Sequence, residues 1–404
     1  FQYSNTYAGF LLAFFLCTAF AVVNAKRTIT ACLHAVMLVP IWISFMLTYS
    51  RGALVLVPIL VLIILIFLRS DKQIAFLGTL VVSIAAAFAI LSSYTENYIG
   101  IAERVMPRSA EEKPYILPFR DPAVLKAWWM LIAASVAAVL CVWGIRAMQP
   151  WLERRLARWM ERGFSAFLLP VAGAAIGIVA SVLLFGTGIA GKILPQSIAE
   201  RIANINFRQH SVLERMTFYR DALKLSADYP LLGAGGGGWN ALYEQYQNNP
   251  YVSRQAHSYF FQTLVEVGWF GLLILAALIG SILVVYLRHY WNERLEQPRH
   301  LVFFILVLSI LAHSMIDFDM SYVYIGALVF FSLGVLAAAY QNKYALSGLS
   351  VLNQLRWRFL YPALLGILSA AMLFQVFQEY VAVHYYNKAL NMAVSEPQDR
   401  KSVV

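Results

Sequence analysis

Three arginines and one histidine occupy positions where a fixed charge or a titrating proton could act on a substrate. Arg51 lies in LTYSRGALVLVP, between two apolar windows with almost no loop, so its guanidinium sits at or just beneath a membrane surface. Ionisable groups at that depth are costly and usually face an interior cavity; the plainer reading is a side chain that snorkels to the interface. Arg215 and Arg220 share one predicted helix, and neither has an acid three or four residues away, whereas Lys224 has Asp221 and Asp228 within that reach. Guanidinium forks without local partners suit a phosphate, one of them in the positive first turns of its helix. Solvated surface charges, or contacts with lipid headgroups, are the alternative. His257 stands in YVSRQAHSYFFQTLVEVGWFGLL, where a hydrophilic segment enters an apolar span on the same side as Arg51. A neutral imidazole, with an ordinary pKa of about 6.5, accepts a proton from a hydroxyl near neutral pH, although a histidine at a helix start is commonly structural.

Two further motifs invite chemistry and read more plainly. Gly233, Gly235 and Gly238 in PLLGAGGGGWN satisfy G-x-G-x-x-G, but a helix ended by Pro230 leads into them where a dinucleotide fold needs a strand, and no Lys-Ser/Thr pair follows. A turn is the better reading. Asp317-Phe-Asp319 is a literal D-x-D, a pattern that can hold a metal, yet no other acids cluster with it, so a hydrogen-bonding turn at a helix end is expected and no metal site is assigned. His313, four residues before Asp317, should share a helix face with it in a polar network.

The elements that position these residues are membrane helices. The chain is 60% hydrophobic and only 13% charged, against roughly 25% charged in soluble domains, and its mean hydropathy is +0.66. About 20 apolar residues cross the hydrocarbon as a helix. Ten windows qualify or nearly so, at 7–25, 30–48, 52–68, 74–93, 123–145, 164–188, 258–287, 301–315, 322–339 and 357–380, which predicts an all-α polytopic bundle. Cys17, Cys32 and Cys141 fall inside apolar windows and are expected to be core fillers. His34 is expected to be a buried polar contact, and His210, His289, His300 and His384 to be exposed.

The net charge of +10 does not point to nucleic acid, because the basic residues gather in short loops between spans. Alternate loops carry Lys26 and Arg27; Arg69 and Lys72; Arg146, Arg154, Arg155, Arg158 and Arg162; Arg288, Arg294 and Arg299; Lys343, Arg356 and Arg358. That asymmetry marks them as cytoplasmic and sets Arg51, Arg215 and His257 outside. Four regions follow: membrane helices over 1–188, an external segment over 189–257, further membrane helices over 258–380, and a possible tetratricopeptide-like start over 381–404. The external segment should hold a helix from a Ser211/Glu214 capping box to about Asp228, stopped by Tyr229-Pro230. The chain does not begin with Met and has no signal-like start, so more residues are expected before it.

ERMTFYRDALKLSADYP, LLGAGGGGW and AHSYFFQTLVEVGWFG, in that order, with TYSRGA and FQYSNTYAGFLLA earlier, resemble the O-antigen ligase and polymerase superfamily. The resemblance runs from residue 1 to about 340, apart from 94–162. It implies a GT-C type bundle and an inverting glycosyltransferase that takes a glycan from an undecaprenyl diphosphate carrier at the outer face of the bacterial inner membrane, with neither cofactor nor metal. It implies that Arg51 and Arg215 hold the diphosphate and that His257 is catalytic. Arg220, Tyr219, Gly235, His313 and Asp317 complete the expected substrate-binding set. The acceptor, whether glycan, lipid or protein, stays open, and a lipid-linked sugar transporter is the rival class.

Overall fold

The structure, a computed structural model, describes residues 3–106, 115–160, 167–175, 210–292, 299–339 and 359–395. Among these residues regular structure is helical and no strand occurs. The chain divides into two compact units, Phe1–Tyr340 and Gln341–Val404. The first holds α1 (Ser4–Asn24), α2 (Thr28–Ala35), α3 (Leu38–Leu47), α4 (Arg51–Ile66), α5 (Ser70–Val105) and α6 (Pro122–Met160). After a helical stretch at 167–175 come α7 (His210–Asp228), α8 (Gly238–Tyr246), α9 (Tyr259–Asn292), α10 (Leu301–Ser314) and α11 (Val323–Ala339), with a short 3₁₀ turn at Asp319–Ser321 before α11. The second unit holds α12 (Leu360–Ser395), which continues without interruption beyond the apolar window.

Five helices are long and apolar enough to cross a membrane, counting α2 and α3 as one span, and α4, α10 and α11 are shorter apolar helices. The protein is an all-α, multi-pass membrane protein. α1 lies at the centre: it is apolar on all sides, buries Leu12, Phe15, Leu16 and Phe20, and packs against α2, α3, α4, α5 and α10. A helix that is apolar all round belongs in an interior. In lipid its packing rests on close fit more than on water exclusion. α9 is the opposite case, turning Phe270, Leu273, Ile274 and Leu278 outward.

Several expectations need correction. The 30–48 window is broken at Val36–Met37, because Pro40 lacks the N–H that would bond the Val36 carbonyl and its ring crowds that carbonyl. α5 extends through Val105, well past the apolar window, and α6 begins at Pro122, so the connection expected over 94–122 is partly helix. The guanidinium of Arg104 grips the Asp121 carboxylate with bonds of 2.6 and 3.1 Å and ties those two helix ends together. Cys17 is buried but Cys141 is exposed. His34 is exposed, not a buried contact, while His289 and His300 are half-buried. Most of the 164–188 span, and the side chains of His210 and Ser211, lie outside the described residues.

Candidate functional site

α7 ends at Asp228, before Tyr229-Pro230 as expected. Arg215, Phe218 and Tyr219, at i, i+3 and i+4, share one of its faces. One turn further, the same helix buries Phe218, Ala222 and Leu225 against Trp239, Tyr243, Ala256 and Val265. That aromatic core, which includes Phe218 and against which Tyr219 packs, fixes α7, so Arg215 next to them has a rigid base. Lys224 pairs with Asp221 at 3.4 Å and donates to Asn248 at 2.6 Å; Asp228, its other expected partner, accepts from Tyr246 instead.

Arg215 lacks an acid on its own helix but finds one 102 residues away: its Nη2 donates to Asp317 Oδ2 at 3.1 Å. Asp317 is almost fully buried and gathers four elements. Besides Arg215, its Oδ2 takes a bond of 3.4 Å from the Tyr3 hydroxyl at the head of α1. Its Oδ1 accepts from the Phe318 N–H at 2.9 Å, and its backbone carbonyl accepts from Tyr259 N at the start of α9. Burial raises the Asp317 pKa, with Arg215 and the Phe318 N–H acting against it. Burial and the nearby Asp317 charge push Tyr3 up to about 12, so it remains a donor.

His257 stands beside this carboxylate, with its Nδ1 3.9 Å from Asp317 Oδ1, which is too long for a hydrogen bond. The Nδ1 is buried and has no partner among the described residues. Phe218 stacks on the imidazole at 5.3 Å and Phe318 meets it edge-on at 5.2 Å. Burial first, and the Arg215 charge second, lower its pKa to about 4, so the ring is neutral at pH 7. Its backbone takes φ 51°, in the left-handed region, which costs a non-glycine residue about 1–2 kcal/mol. Tyr219 secures it: the hydroxyl donates to the His257 carbonyl at 2.9 Å. Tyr49, two residues before Arg51, is the other non-glycine residue with positive φ among the described residues, at 55°. Such strain persists where surrounding structure holds it and often gathers at functional sites.

The glycine run performs a different task from nucleotide binding. α9 is broken at Gly268, where φ is 66° and ψ −173°. An intact helix would bond Trp269 N to Val265 O and Phe270 N to Glu266 O. Here Trp269 N and Phe270 N donate to Pro230 O and Leu231 O, while Val265 O and Glu266 O accept from Ala234 N and Gly235 N. The loop therefore inserts as a splint and satisfies all four freed backbone groups. The contact is backbone on backbone: a Cβ on Gly233 would lie 2.4 Å from the Glu266 carbonyl carbon, and one on Gly268 2.4 Å from Leu231 O. The Glu266 side chain accepts from Gly237 N and Gln262 Nε2, and Gln262 accepts from Ala256 N, which links the splint to the residue before His257. The close approach of this turn is to α9, where Gly235 N bonds Glu266 O.

Arg215, Tyr219, His257 and Asp317 are brought together. The polar network expected at His313 takes in both aspartates: its Nδ1 lies 2.5 Å from Asp319 Oδ2, both groups are buried, and its backbone carbonyl accepts from Asp317 N. A Cβ on Gly9 of α1 would come within 2.6 Å of that imidazole, so glycine is what admits α1 there. Arg51 opens α4, capped by Ser50, and makes no side-chain bond among the described residues. Its neighbour Gly52 packs on Ile316, next to Asp317. Arg220 is exposed and separate. The sequence reading did not single out Tyr3 or Phe218; the three-residue spacing from Arg215 signalled Phe218, and only the FQYSNTYAGFLLA segment of the resemblance contained Tyr3. Among the described residues no group of three or more His, Cys, Asp or Glu is set to hold a metal.

Residues 126–276 match the family model described as O-antigen ligase. The match supports placement in an O-antigen ligase-related superfamily and, broadly, glycosyltransferase function of the ligase or polymerase kind. It contains Arg215, Tyr219, Arg220, Gly235 and His257, and it reaches into the 94–162 stretch left out of the resemblance. Arg51, His313 and Asp317 lie outside it. No curated protein and no solved structure matches the chain.

Proposed function

We propose that this protein moves a glycan from an undecaprenyl diphosphate carrier to an acceptor hydroxyl at the outer face of the bacterial cytoplasmic membrane, with inversion at the anomeric carbon and without a metal ion. The observation that carries this reading is the meeting of Arg215 and His257 around the buried Asp317, although the three are far apart in the chain.

The chemistry follows from the groups. Asp317 takes one of the five guanidinium N–H donors of Arg215 and fixes its plane. The other donors, with Arg51, serve the diphosphate and stabilise the negative charge that grows as it leaves. His257 is neutral and accepts the hydrogen bond of the acceptor hydroxyl. As the acceptor oxygen bonds to the anomeric carbon, the bond from that carbon to the phosphate oxygen breaks and the proton passes to the imidazole, from which water removes it. A nitrogen of such low basicity takes the proton only as the new bond forms, so orienting the hydroxyl is a large part of its role. Tyr219 and Phe218 hold the ring in place.

Glycan, lipid and protein hydroxyls all fit this chemistry. The test is reconstitution of the chain in proteoliposomes with an undecaprenyl diphosphate glycan, a panel of these three acceptors, and a chelator. Transfer with inverted configuration is expected in chelator, with Arg51→Ala and Arg215→Ala inactive. Strict dependence on added divalent cation, or unimpaired transfer by Arg215→Ala, would contradict the mechanism.

A further inference from the structure

The other end of α1 carries a second, separate arrangement of charge. α1 leaves the core at Asn24, and the chain turns through Lys26 and Arg27 into α2. A cavity of about 520 Å³ opens there, walled by Phe20, Lys26, Arg27, His34, Arg299 and Val302 among others. Lys26, Arg27 and Arg299 are exposed, and their side chains make no hydrogen bond or ion pair among the described residues. No acid is among the lining residues.

These cations are not needed to finish α1. Its end is already served: Arg146 donates to Val23 O at 3.2 Å and to Ala25 O at 2.6 Å, and Lys72 donates to the Asn24 side-chain Oδ1 at 2.5 Å. Two helices also begin at the cavity, α2 at Thr28 and α10 at Leu301, and neither has a side-chain cap. Thr30 and Val302, in their first turns, contribute to the wall. Helix starts carry partial positive charge, which adds to three cations unpaired among the described residues. Phe20, Ala21 and Val302 give the cavity an apolar side.

We propose that this cavity binds a phosphate-bearing anion, and that its occupant is the headgroup of an anionic phospholipid in the leaflet opposite the candidate transfer site. The 21 residues of α1 span about 30 Å, the thickness of a bilayer core, so the two sites lie at opposite surfaces. A polar end rich in cations over an apolar wall fits a lipid, whose phosphate and acyl chain are joined; a soluble phosphate uses only the first. Basic pockets between membrane helices hold anionic headgroups in this manner.

The test is native mass spectrometry of the purified full chain titrated with phosphatidylglycerol, phosphatidylcholine or inorganic phosphate. Phosphatidylglycerol should bind at least about ten-fold more tightly than phosphatidylcholine. Each of Lys26→Gln, Arg27→Gln and Arg299→Gln should weaken it about five-fold, and the three together about a hundred-fold. The charge-keeping variant K26R/R27K/R299K should bind within about two-fold of the natural protein. Saturable binding of inorganic phosphate, lost in the triple Gln variant and without preference for phosphatidylglycerol, would keep the anion site and make its occupant a soluble phosphate. Equal binding of the two lipids with no phosphate binding, or an unchanged triple Gln variant, would overturn the proposal.

Discussion

The two ends of α1 hold charge in opposite ways. At the Tyr3 end the acids are buried and matched: Asp317 with the half-buried Arg215 and Tyr3, Asp319 with the buried His313. At the Asn24 end Lys26, Arg27 and Arg299 are exposed and unmatched among the described residues. A buried pair fixes geometry, because leaving either member alone costs far more than the pair contributes. Unmatched cations at a surface fix nothing and remain available to a mobile anion. The first arrangement suits a site that must hold a catalytic geometry, and the second suits a site that exchanges its ligand.

Substitution at the two ends should therefore give very different effects. Asp317→Ala strands Arg215 and releases Tyr3, with an expected loss of about 3–5 kcal/mol in unfolding free energy and no transfer, measured by denaturation in detergent and by the reconstituted assay. Gly9→Ala forces a methyl to within 2.6 Å of the His313 ring and should cost about 1–3 kcal/mol; the same denaturation measurement checks it, and a cost near zero would show that the His313–Asp319 pair yields easily. At the opposite end, each Gln substitution at Lys26, Arg27 or Arg299 should change unfolding by less than about 0.5 kcal/mol.

Acidity sharpens the contrast further. The folded His257 pKa, about 4, lies below its ordinary 6.5, so the unfolded chain takes up a proton in a window where the folded chain does not. The contribution of this group to stability is therefore present above pH 6.5 and is lost as pH falls toward 4. For the same reason the acid limb of the transfer rate should lie near pH 4. At pH 5 about 90% of the neutral-pH rate should survive where an ordinary histidine would leave about 3%. A limb near 6.5 would mean that His257 is not held in this environment.

The legible part of the fold was whatever depended on local pattern. Apolar windows gave the spans, and Tyr229-Pro230 gave the end of α7. Spacing along one helix correctly showed that Arg215 had no partner there, but could not show Asp317, because that pairing closes a loop of 102 residues through tertiary packing. The D-x-D was read as a hydrogen-bonding turn, and its two carboxylates proved to face different partners, one on α7 and one on α10. The polar network around His313 was legible from its spacing to Asp317, but its side-chain bond to Asp319, two residues further on, was not, because α10 stops at Ser314. The glycines announced a turn, but not that the turn would replace hydrogen bonds missing from α9; Gly268, 35 residues after Gly233, was the unread half of that device.

The most direct measurement of the central claim separates binding from turnover at the outer end of α1. Purified His257→Ala and Arg215→Ala proteins would each be assayed for retention of an undecaprenyl diphosphate glycan and for its transfer. The account predicts that His257→Ala holds the donor within about two-fold of the natural protein while transfer falls by at least about a hundred-fold, and that Arg215→Ala loses the donor itself. Full transfer by His257→Ala, or donor binding indifferent to Arg215, would contradict it.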